Sequence, residues 1–183
     1  MRIGILGGTF NPVHVGHLIM AQTAMEKFRL SKVLFIPCAS PPHKQPKDLA
    51  GAKERFQMLE RALAGNPDFE VSDVEMRRGG EKSYSYDTLC ELRAEAGPKD
   101  EFFFVIGTDS LDQIMTWHRI RDLMKLCRFI VVERPETKPS GEILKKMSAR
   151  DSKFFGTFVL KHFPVGVSSR QIRERARRGL PIR

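Results

Sequence analysis

The sequence has few cysteines and no long apolar run, and these two absences limit the classes of protein to which it can belong. Cys38, Cys90 and Cys127 lie far apart with no paired spacing, unlike a disulfide framework or a zinc pattern. They indicate a reducing compartment. No apolar run approaches the roughly 20 residues that span a bilayer, and glycines interrupt the N-terminus too early for a signal-peptide core. We therefore expect a cytoplasmic protein with no membrane partner.

The size and charge of the chain leave several classes of partner open. Its 183 residues suit one domain, so we expect residues 1–183 to form a single unit. The formal net charge of +9 favours nucleotides, nucleic acid or an acidic surface without selecting among them. An excess of basic residues is also common on a plain solvated surface. Nothing in the sequence selects an oligomeric state.

Short apolar runs alternate with amphipathic stretches along the whole chain. This alternation predicts an α/β fold, a Rossmann-like doubly wound parallel sheet with helices on both faces. In such a sheet, ligands bind beyond the carboxyl ends of the strands. The predicted strands are 2–6, 33–36, 69–76, 102–106, 129–132 and 156–160, and the predicted helices are 17–28, 52–63, 86–95, 109–115, 120–126, 140–149 and 169–178.

The segment between the first strand and the first helix has the composition of an anion site. Gly7 and Gly8 let the backbone approach a ligand closely because no Cβ intervenes. The following helix N-terminus adds unpaired N–H groups and a partial positive charge. The spacing matches neither a Walker A loop nor a Gly-x-Gly-x-x-Gly fingerprint.

His14 and His17 are three residues apart at the start of this helix, with Gly16 between them. Both rings are expected on the same side of the first turn. They could be capping or core histidines, or two ligands of a metal, although no third ligand lies nearby. Beside a glycine-rich anion loop, they are better interpreted as hydrogen-bond donors to phosphate oxygens.

Residues 7–17, Gly-Gly-Thr-Phe-Asn-Pro-Val-His-Val-Gly-His, resemble the signature of the His-x-Gly-His nucleotidyltransferases. In that superfamily, the two histidines bind the phosphates of the incoming nucleoside triphosphate and stabilise the charge that develops during transfer. Four more segments resemble the nicotinate-mononucleotide adenylyltransferases in particular, in order and over essentially the whole chain. They are residues 40–44, residues 83–89, residues 106–111 followed by Trp117, and residues 167–173.

The resemblance implies an enzyme that transfers the adenylyl group of ATP to nicotinate mononucleotide in NAD biosynthesis. Magnesium would arrive bound to ATP, with no metal site of the protein's own. The implied catalytic residues are His14, His17, Lys44 and Arg173. The implied ATP-binding residues are Gly7, Gly8, Thr9, Phe10, Asn11, Gly107, Asp109, Ser168, Ser169 and Ile172. The implied contacts to the mononucleotide are Lys44, Thr88, Trp117 and Arg134.

Several of these residues also have ordinary structural interpretations. Lys44 could be a solvated surface lysine, and Asp109 could simply cap the next helix. Trp117, the only tryptophan, could belong to the core or could stack on a pyridinium ring. Thr88 lies near a helix start, where backbone N–H groups could receive the nicotinate carboxylate.

The last motif contains an electrostatic conflict. Ser168 and Gln171 predict a capping box, which places Arg170 and Arg173 in a first helical turn, where cations oppose the helix dipole. A bound triphosphate would remove the conflict. Two residues depart from the family pattern: Arg170 replaces a Thr or Ser, and His118 replaces a Tyr beside Trp117.

Two other functions are consistent with parts of the sequence. One is a different adenylyl or cytidylyl transferase of the same superfamily. The other is a nucleic-acid-binding protein, suggested by the net charge and by Arg173, Arg175, Arg177 and Arg178. The aromatic and basic residues are not interleaved as in single-strand binders, so we expect no nucleic-acid partner.

Overall fold

A computed structural model of the chain describes residues 1–41, 49–79, 82–111, 113–132, 155–160 and 166–182. The strands are β1 (Arg2–Gly8), β2 (Lys32–Pro37), β3 (Phe69–Val71), β4 (Glu101–Gly107), β5 (Arg128–Val132) and β6 (Phe155–Leu160). The helices are α1 (Val15–Phe28), α2 (Ala52–Leu63), α3 (Val74–Arg77), α4 (Ser85–Glu95), α5 (Thr108–Leu111), α6 (Ile120–Leu126) and α7 (Ser169–Arg177), with a 3₁₀ turn at Ile114–Thr116.

The strands form one parallel sheet in the order β3-β2-β1-β4-β5-β6. Side chains on β4 alternate between its two faces. Phe102 and Phe104 belong to a core cluster that includes residues of α4 and α6, whereas Phe103 and Val105 belong to a second cluster that includes residues of α1 and α2. The predicted Rossmann-like sheet with helices on both faces is thus confirmed.

The position of β1 determines where ligands can bind. The chain runs from β1 outward to β2 and β3, then returns to β4 on the other side of β1. The loops after β1 and β4 therefore diverge at the reversal of strand order, which leaves a crevice beyond the carboxyl ends of the strands. Gly8, at the end of β1, pairs with Pro37 of β2, and Gly107 ends β4 opposite Val132.

Most of the predicted elements are present, and the bounds of 52–63 and 120–126 agree with α2 and α6. The strand predicted over 69–76 is wrong beyond Val71, because Val74 begins a short helix and is fully buried. The helix predicted over 109–115 is divided into α5 and a 3₁₀ turn. The predicted helix 140–149 lies outside the described residues. None of the helices in the described ranges is long and apolar enough to cross a bilayer.

Leu59 on α2 is fully buried against the sheet, so it should contribute strongly to stability. We predict that Leu59→Ala lowers the free energy of unfolding by about 2–5 kcal/mol, because it leaves a cavity that the packed core fills only in part. Urea unfolding followed by circular dichroism measures the change. Gln57→Ala, on the exposed face of the same helix, is the control and should stay within about 0.5 kcal/mol of the parent.

Candidate active site

The loop after β1 is built over a buried aromatic ring. Phe10 has a left-handed backbone, with φ of 46°, and only 2% of its surface is exposed. A Cβ placed on Gly8 would lie 3.2 Å from the Phe10 ring, so a larger residue at position 8 would crowd it. Because the Phe10 side chain belongs to the core, a ligand in this loop would meet its backbone rather than its ring.

His14 and His17 form a capping box at the start of α1. The backbone N–H of His14 donates to Nδ1 of His17 at 3.2 Å, and the two ring centroids are 3.9 Å apart. Since Nδ1 of His17 accepts this bond, the neutral ring carries its proton on Nε2. The histidines therefore do cap the helix, as one interpretation of the sequence held, and the same contact makes Nε2 of His17 a hydrogen-bond donor.

Gly16 makes room for the His14 ring. A Cβ at position 16 would lie 3.0 Å from Nδ1 of His14 and 3.1 Å from its Cε1. These distances are shorter than ordinary van der Waals contact, so any side chain at this position would displace the ring. The glycine between the two histidines thus has a steric reason.

The head of α7 docks onto the loop after β1. The predicted capping box is confirmed: the Ser168 N–H donates to Oε1 of Gln171 at 2.9 Å, and the Gln171 N–H donates to Oγ of Ser168 at 3.3 Å. Ser169 Oγ donates to the Pro12 carbonyl at 2.7 Å. Arg173 Nη1 donates to the Asn11 carbonyl at 2.6 Å. The predicted first and last motifs therefore lie side by side, although more than 150 residues separate them.

This junction favours an anion. The first turns of α1 and α7, both within the described residues, contain no acidic residue, and each helix N-terminus contributes partial positive charge. Nε of Arg173 is buried and has no hydrogen-bond partner among the described residues. An unsatisfied buried donor costs about 1–3 kcal/mol, and a ligand oxygen would remove that cost. Arg170 is exposed on the same turn, and Ile172 lies beside it, partly buried.

A cavity of about 290 Å³ lies beyond the ends of β1 and β2. It is lined by Gly7, Gly8 and Thr9 from the loop after β1, and by Thr88 and Trp117. The structure thus brings residues predicted for ATP and residues predicted for the mononucleotide to one cavity. The Trp117 ring is half-buried and stands edge-on to Phe104, at 5.8 Å and 75°.

One wall of this cavity is a buried polar network that the sequence did not predict. Thr88 is only 2% exposed; its hydroxyl donates to Oε1 of Glu75 at 2.8 Å and accepts from Nη2 of Arg78 at 2.8 Å. Arg78 also pairs with Glu91. The second carboxylate oxygen of Glu75 is buried with no partner among the described residues. The Thr88 hydroxyl is thus committed to holding the wall, which leaves the backbone of α4 to face a ligand.

The rim of the cavity joins two loops. Ser83 Oγ accepts hydrogen bonds from the N–H groups of Ala39, at 3.0 Å, and Ser40, at 3.1 Å. The Tyr84 ring, which lines the cavity, stacks on the His118 ring with centroids 4.4 Å apart. Lys44 and Arg134, which the resemblance placed in the site, lie outside the described residues.

The end of β4 lies across the crevice from the loop after β1. Gly107 is buried at the strand end, and α5 begins at the next residue, Thr108. Asp109 is therefore the second residue of this short helix and is exposed. The interpretation of Asp109 as an N-cap is wrong.

The one thiol that lines the cavity is poorly suited to nucleophilic chemistry. Burial, together with the Glu75 carboxylate nearby, raises the pKa of Cys38 to about 11. Since the thiolate is the reactive form, Cys38 is almost entirely a neutral thiol at neutral pH.

Comparisons with known proteins agree with this geometry. The model of the cytidylyltransferase-like family matches residues 5–175. The chain therefore belongs to that broad class of nucleotidyltransferases.

Relatives narrow the class. The probable nicotinate-nucleotide adenylyltransferase of Geotalea uraniireducens is 41% identical over 100% of this chain and 90% of its own length. The corresponding protein of Desulfitobacterium hafniense is 41% identical over 100% of this chain and 87% of its own length. The chain belongs to the nicotinate-nucleotide adenylyltransferase family.

Solved structures show the same fold at lower identity. Nicotinic acid mononucleotide adenylyltransferase of Plasmodium falciparum, complexed with NaAD, matches with a TM-score of 0.74 at 22% identity, over 94% of this chain and 82% of that one. The same enzyme complexed with APC matches with a TM-score of 0.73 at 21% identity, over 99% and 86%.

The contact between Gly16 and His14 predicts a specific variant effect. Gly16→Ala should displace the His14 ring and lower the adenylyl-transfer rate by about 10–100-fold, since small misplacements of catalytic groups have effects of this size. Steady-state assays of dinucleotide formation measure the rate, and thermal unfolding shows whether the fold is kept. Val15→Ala is the matched control, because it removes atoms from an exposed neighbour in the same turn. Equal rates for Gly16→Ala and the parent would contradict the steric role of Gly16.

Proposed function

We propose that this protein transfers the adenylyl group of ATP to nicotinate mononucleotide, giving nicotinate adenine dinucleotide and pyrophosphate. The observation that supports it most is the junction of two helix N-termini at the loop after β1, a loop whose Gly8 and Thr9 also line the cavity. His14 and His17 lie at the first head, Arg173 lies at the second, and Trp117 lines the cavity. Full-length relatives at 41% identity bear the name of this activity.

The triphosphate of ATP fits the junction of α1 and α7. Its oxygens would accept from Nε2 of His17 and from the buried Nε of Arg173, which lacks a partner among the described residues. In the loop after β1, Thr9 and Asn11 would contact ATP. At the N-terminus of α7, Ser168, Ser169 and Ile172 would contact it. Gly107 and Asp109 would meet the nucleoside across the crevice.

The reaction is a direct in-line displacement. A phosphate oxygen of nicotinate mononucleotide attacks the α-phosphorus of ATP, the bond from that phosphorus to the bridging oxygen breaks, and pyrophosphate leaves with the electron pair. Both reactants are anions, so repulsion must be screened and the groups aligned. Fixed positive groups in a partly dry site provide most of the rate in such reactions. We propose that His14, His17, Arg173 and Lys44 provide these positive groups.

Magnesium would enter with ATP and neutralise part of the phosphate charge. The described residues contain no group of three or more His, Cys, Asp or Glu side chains that could hold a metal. Mg²⁺ tends to keep its water and phosphate ligands, so we expect ATP and water to hold most of its coordination sites. The protein's own part is to bind and orient the triphosphate.

The cavity suits the pyridine end of the mononucleotide. Trp117 presents a half-buried aromatic face, and a pyridinium ring stacked there would gain a cation–π term of about 0.5–2 kcal/mol. The nicotinate carboxylate would lie at the N-terminus of α4, where the first backbone N–H groups have no helical partners. Thr88 fixes that turn through Glu75 and Arg78. The contact of Arg134 with the mononucleotide stays a prediction.

A comparison of nicotinate mononucleotide with nicotinamide mononucleotide tests both the reaction and the substrate preference. We predict that the purified protein converts ATP and nicotinate mononucleotide into dinucleotide and pyrophosphate, with kcat/KM at least about tenfold higher than for nicotinamide mononucleotide, because a helix N-terminus favours an anion. Chromatography of the products measures both rates. Phosphopantetheine and glycerol phosphate are the controls for other members of the superfamily. An absence of dinucleotide from either mononucleotide would refute the proposal.

The contact between His14 and His17 allows a test that separates chemistry from capping. His17→Ala should lower kcat by about 10²–10³-fold, the usual effect of losing one charge-stabilising donor. In His17→Asn, the amide oxygen can still accept from the His14 N–H, but the distal Nε2 donor is lost. We expect His17→Asn to keep the melting temperature of the parent and to be as slow as His17→Ala. Near-parental activity of His17→Asn would show that His17 acts only as a cap.

A further inference from the structure

Arg55, on α2, is a buried charge that the proposed reaction does not use. Only 1% of its surface is exposed, yet its guanidinium donates to four carbonyl oxygens. Nε donates to Ala50 at 2.9 Å, Nη1 donates to Thr9 at 2.9 Å and to Cys38 at 2.7 Å, and Nη2 donates to Ala39 at 3.4 Å. Arginine can make this set of bonds because it has several N–H donors in a rigid planar array, which few other side chains have.

The four carbonyls belong to three different segments around the site. Thr9 is in the loop after β1, which carries the nucleotide-binding residues. Cys38 and Ala39 follow β2, and Ala50 precedes α2. Cys38 and Ala50 lie at the two ends of the stretch of sequence that contains Lys44. One guanidinium therefore holds both described ends of that stretch against the loop after β1.

Further contacts link the residues that Arg55 holds to the N-terminus of α7. The Ala50 N–H donates to Oδ1 of Asn11 at 3.2 Å, and the Asn11 carbonyl accepts from Arg173. The loop after β1 is thus held by Arg55 through the carbonyl of Thr9 and by α7 through the carbonyls of Asn11 and Pro12. Its backbone position depends on two arginines that are 118 residues apart in sequence (173 − 55).

Burying a charge is unfavourable unless hydrogen bonds and nearby opposite charges compensate for the loss of water. Burial lowers the pKa of the Arg55 guanidinium, while the nearby Glu75 and Glu54 carboxylates oppose that shift. The group nevertheless stays protonated at every physiological pH. It is a fixed positive charge whose Nη1 bonds to the carbonyl of Thr9, in a loop that is proposed to bind an anion.

We propose that Arg55 is a positioning residue for adenylyl transfer: through four carbonyl contacts it fixes Thr9, in the loop after β1, relative to Cys38, Ala39 and Ala50, and it places a fixed positive charge against that loop. This inference rests on the proposed function. It assigns to Arg55 an effect on the bound reactants and on turnover, beyond an effect on folding.

The test compares Arg55→Lys with Leu59→Ala, a fully buried neighbour one turn along the same helix. Lysine keeps the positive charge but, as a compact point charge, cannot bridge three segments. Both variants should lower the melting temperature. At a temperature at which circular dichroism shows both to be folded, Arg55→Lys should lower kcat by about 10–100-fold and raise KM for ATP. Leu59→Ala should stay within about twofold of the parent in both constants.

Equal loss of stability in the two variants, with kcat and KM of Arg55→Lys close to those of the parent, would overturn the proposal, because it would leave Arg55 a merely structural role. The parent enzyme is measured in the same assay. If the parent forms no dinucleotide, the proposed function fails and this inference fails with it. If the parent is active and Arg55→Lys is unaffected, only the role of Arg55 is refuted.

A second measurement needs no variant and so does not depend on whether Arg55→Lys folds. In the ¹⁵N-labelled parent protein, the Nε–H signal of Arg55 should be slow to exchange with solvent because the group is buried. Adding MgATP without mononucleotide should shift this signal and slow its exchange further. A signal that MgATP leaves unchanged, at a concentration that saturates the protein, would contradict coupling between Arg55 and the nucleotide.

Discussion

The contact between the head of α7 and the loop after β1 is the constraint on which the rest of the site depends. Arg173 binds the carbonyl of Asn11 and Ser169 binds that of Pro12, so two helix N-termini meet at one point. Each helix end carries partial positive charge, and neither of these fully described first turns contains an acidic residue to offset it. The fold thus brings two helix N-termini and the Arg173 guanidinium to a place where they favour a polyanion.

This arrangement explains how a site without a strong nucleophile can catalyse group transfer. The cavity thiol, Cys38, is protonated at neutral pH because burial raises its pKa to about 11. In the proposed reaction, the nucleophile is instead an oxygen of the substrate, and the protein would screen charge and hold the reactants in line. Three rigid features of the site are proposed to hold the reactants in line. The His14–His17 capping box orients one imidazole, Gly16 leaves room for the other, and the buried network of Glu75, Thr88 and Arg78 fixes the wall beside Trp117.

The sequence predicted features whose cause is local. The glycines and histidines of residues 7–17, the capping box of Ser168 and Gln171, and the alternation of strands and helices depend on neighbours in the chain. It did not predict the contacts of Arg55, which resembles any charged helix residue until the fold brings the distant carbonyls of Thr9, Cys38 and Ala39 to it. Glu75 was missed for a related reason. The alternation of residues 69–76 predicts an exposed or edge strand, but the chain forms α3 after β3, and Glu75 is buried in that helix.

The most direct test of the central claim is a crystal structure of the protein with a non-hydrolysable ATP analogue. We expect phosphate oxygens within about 3 Å of Nε2 of His17 and of Nε of Arg173, which is the usual hydrogen-bond separation. Both heads, α1 and α7, should contact the same triphosphate. A triphosphate bound elsewhere, with these two nitrogens turned away from it, would contradict the account.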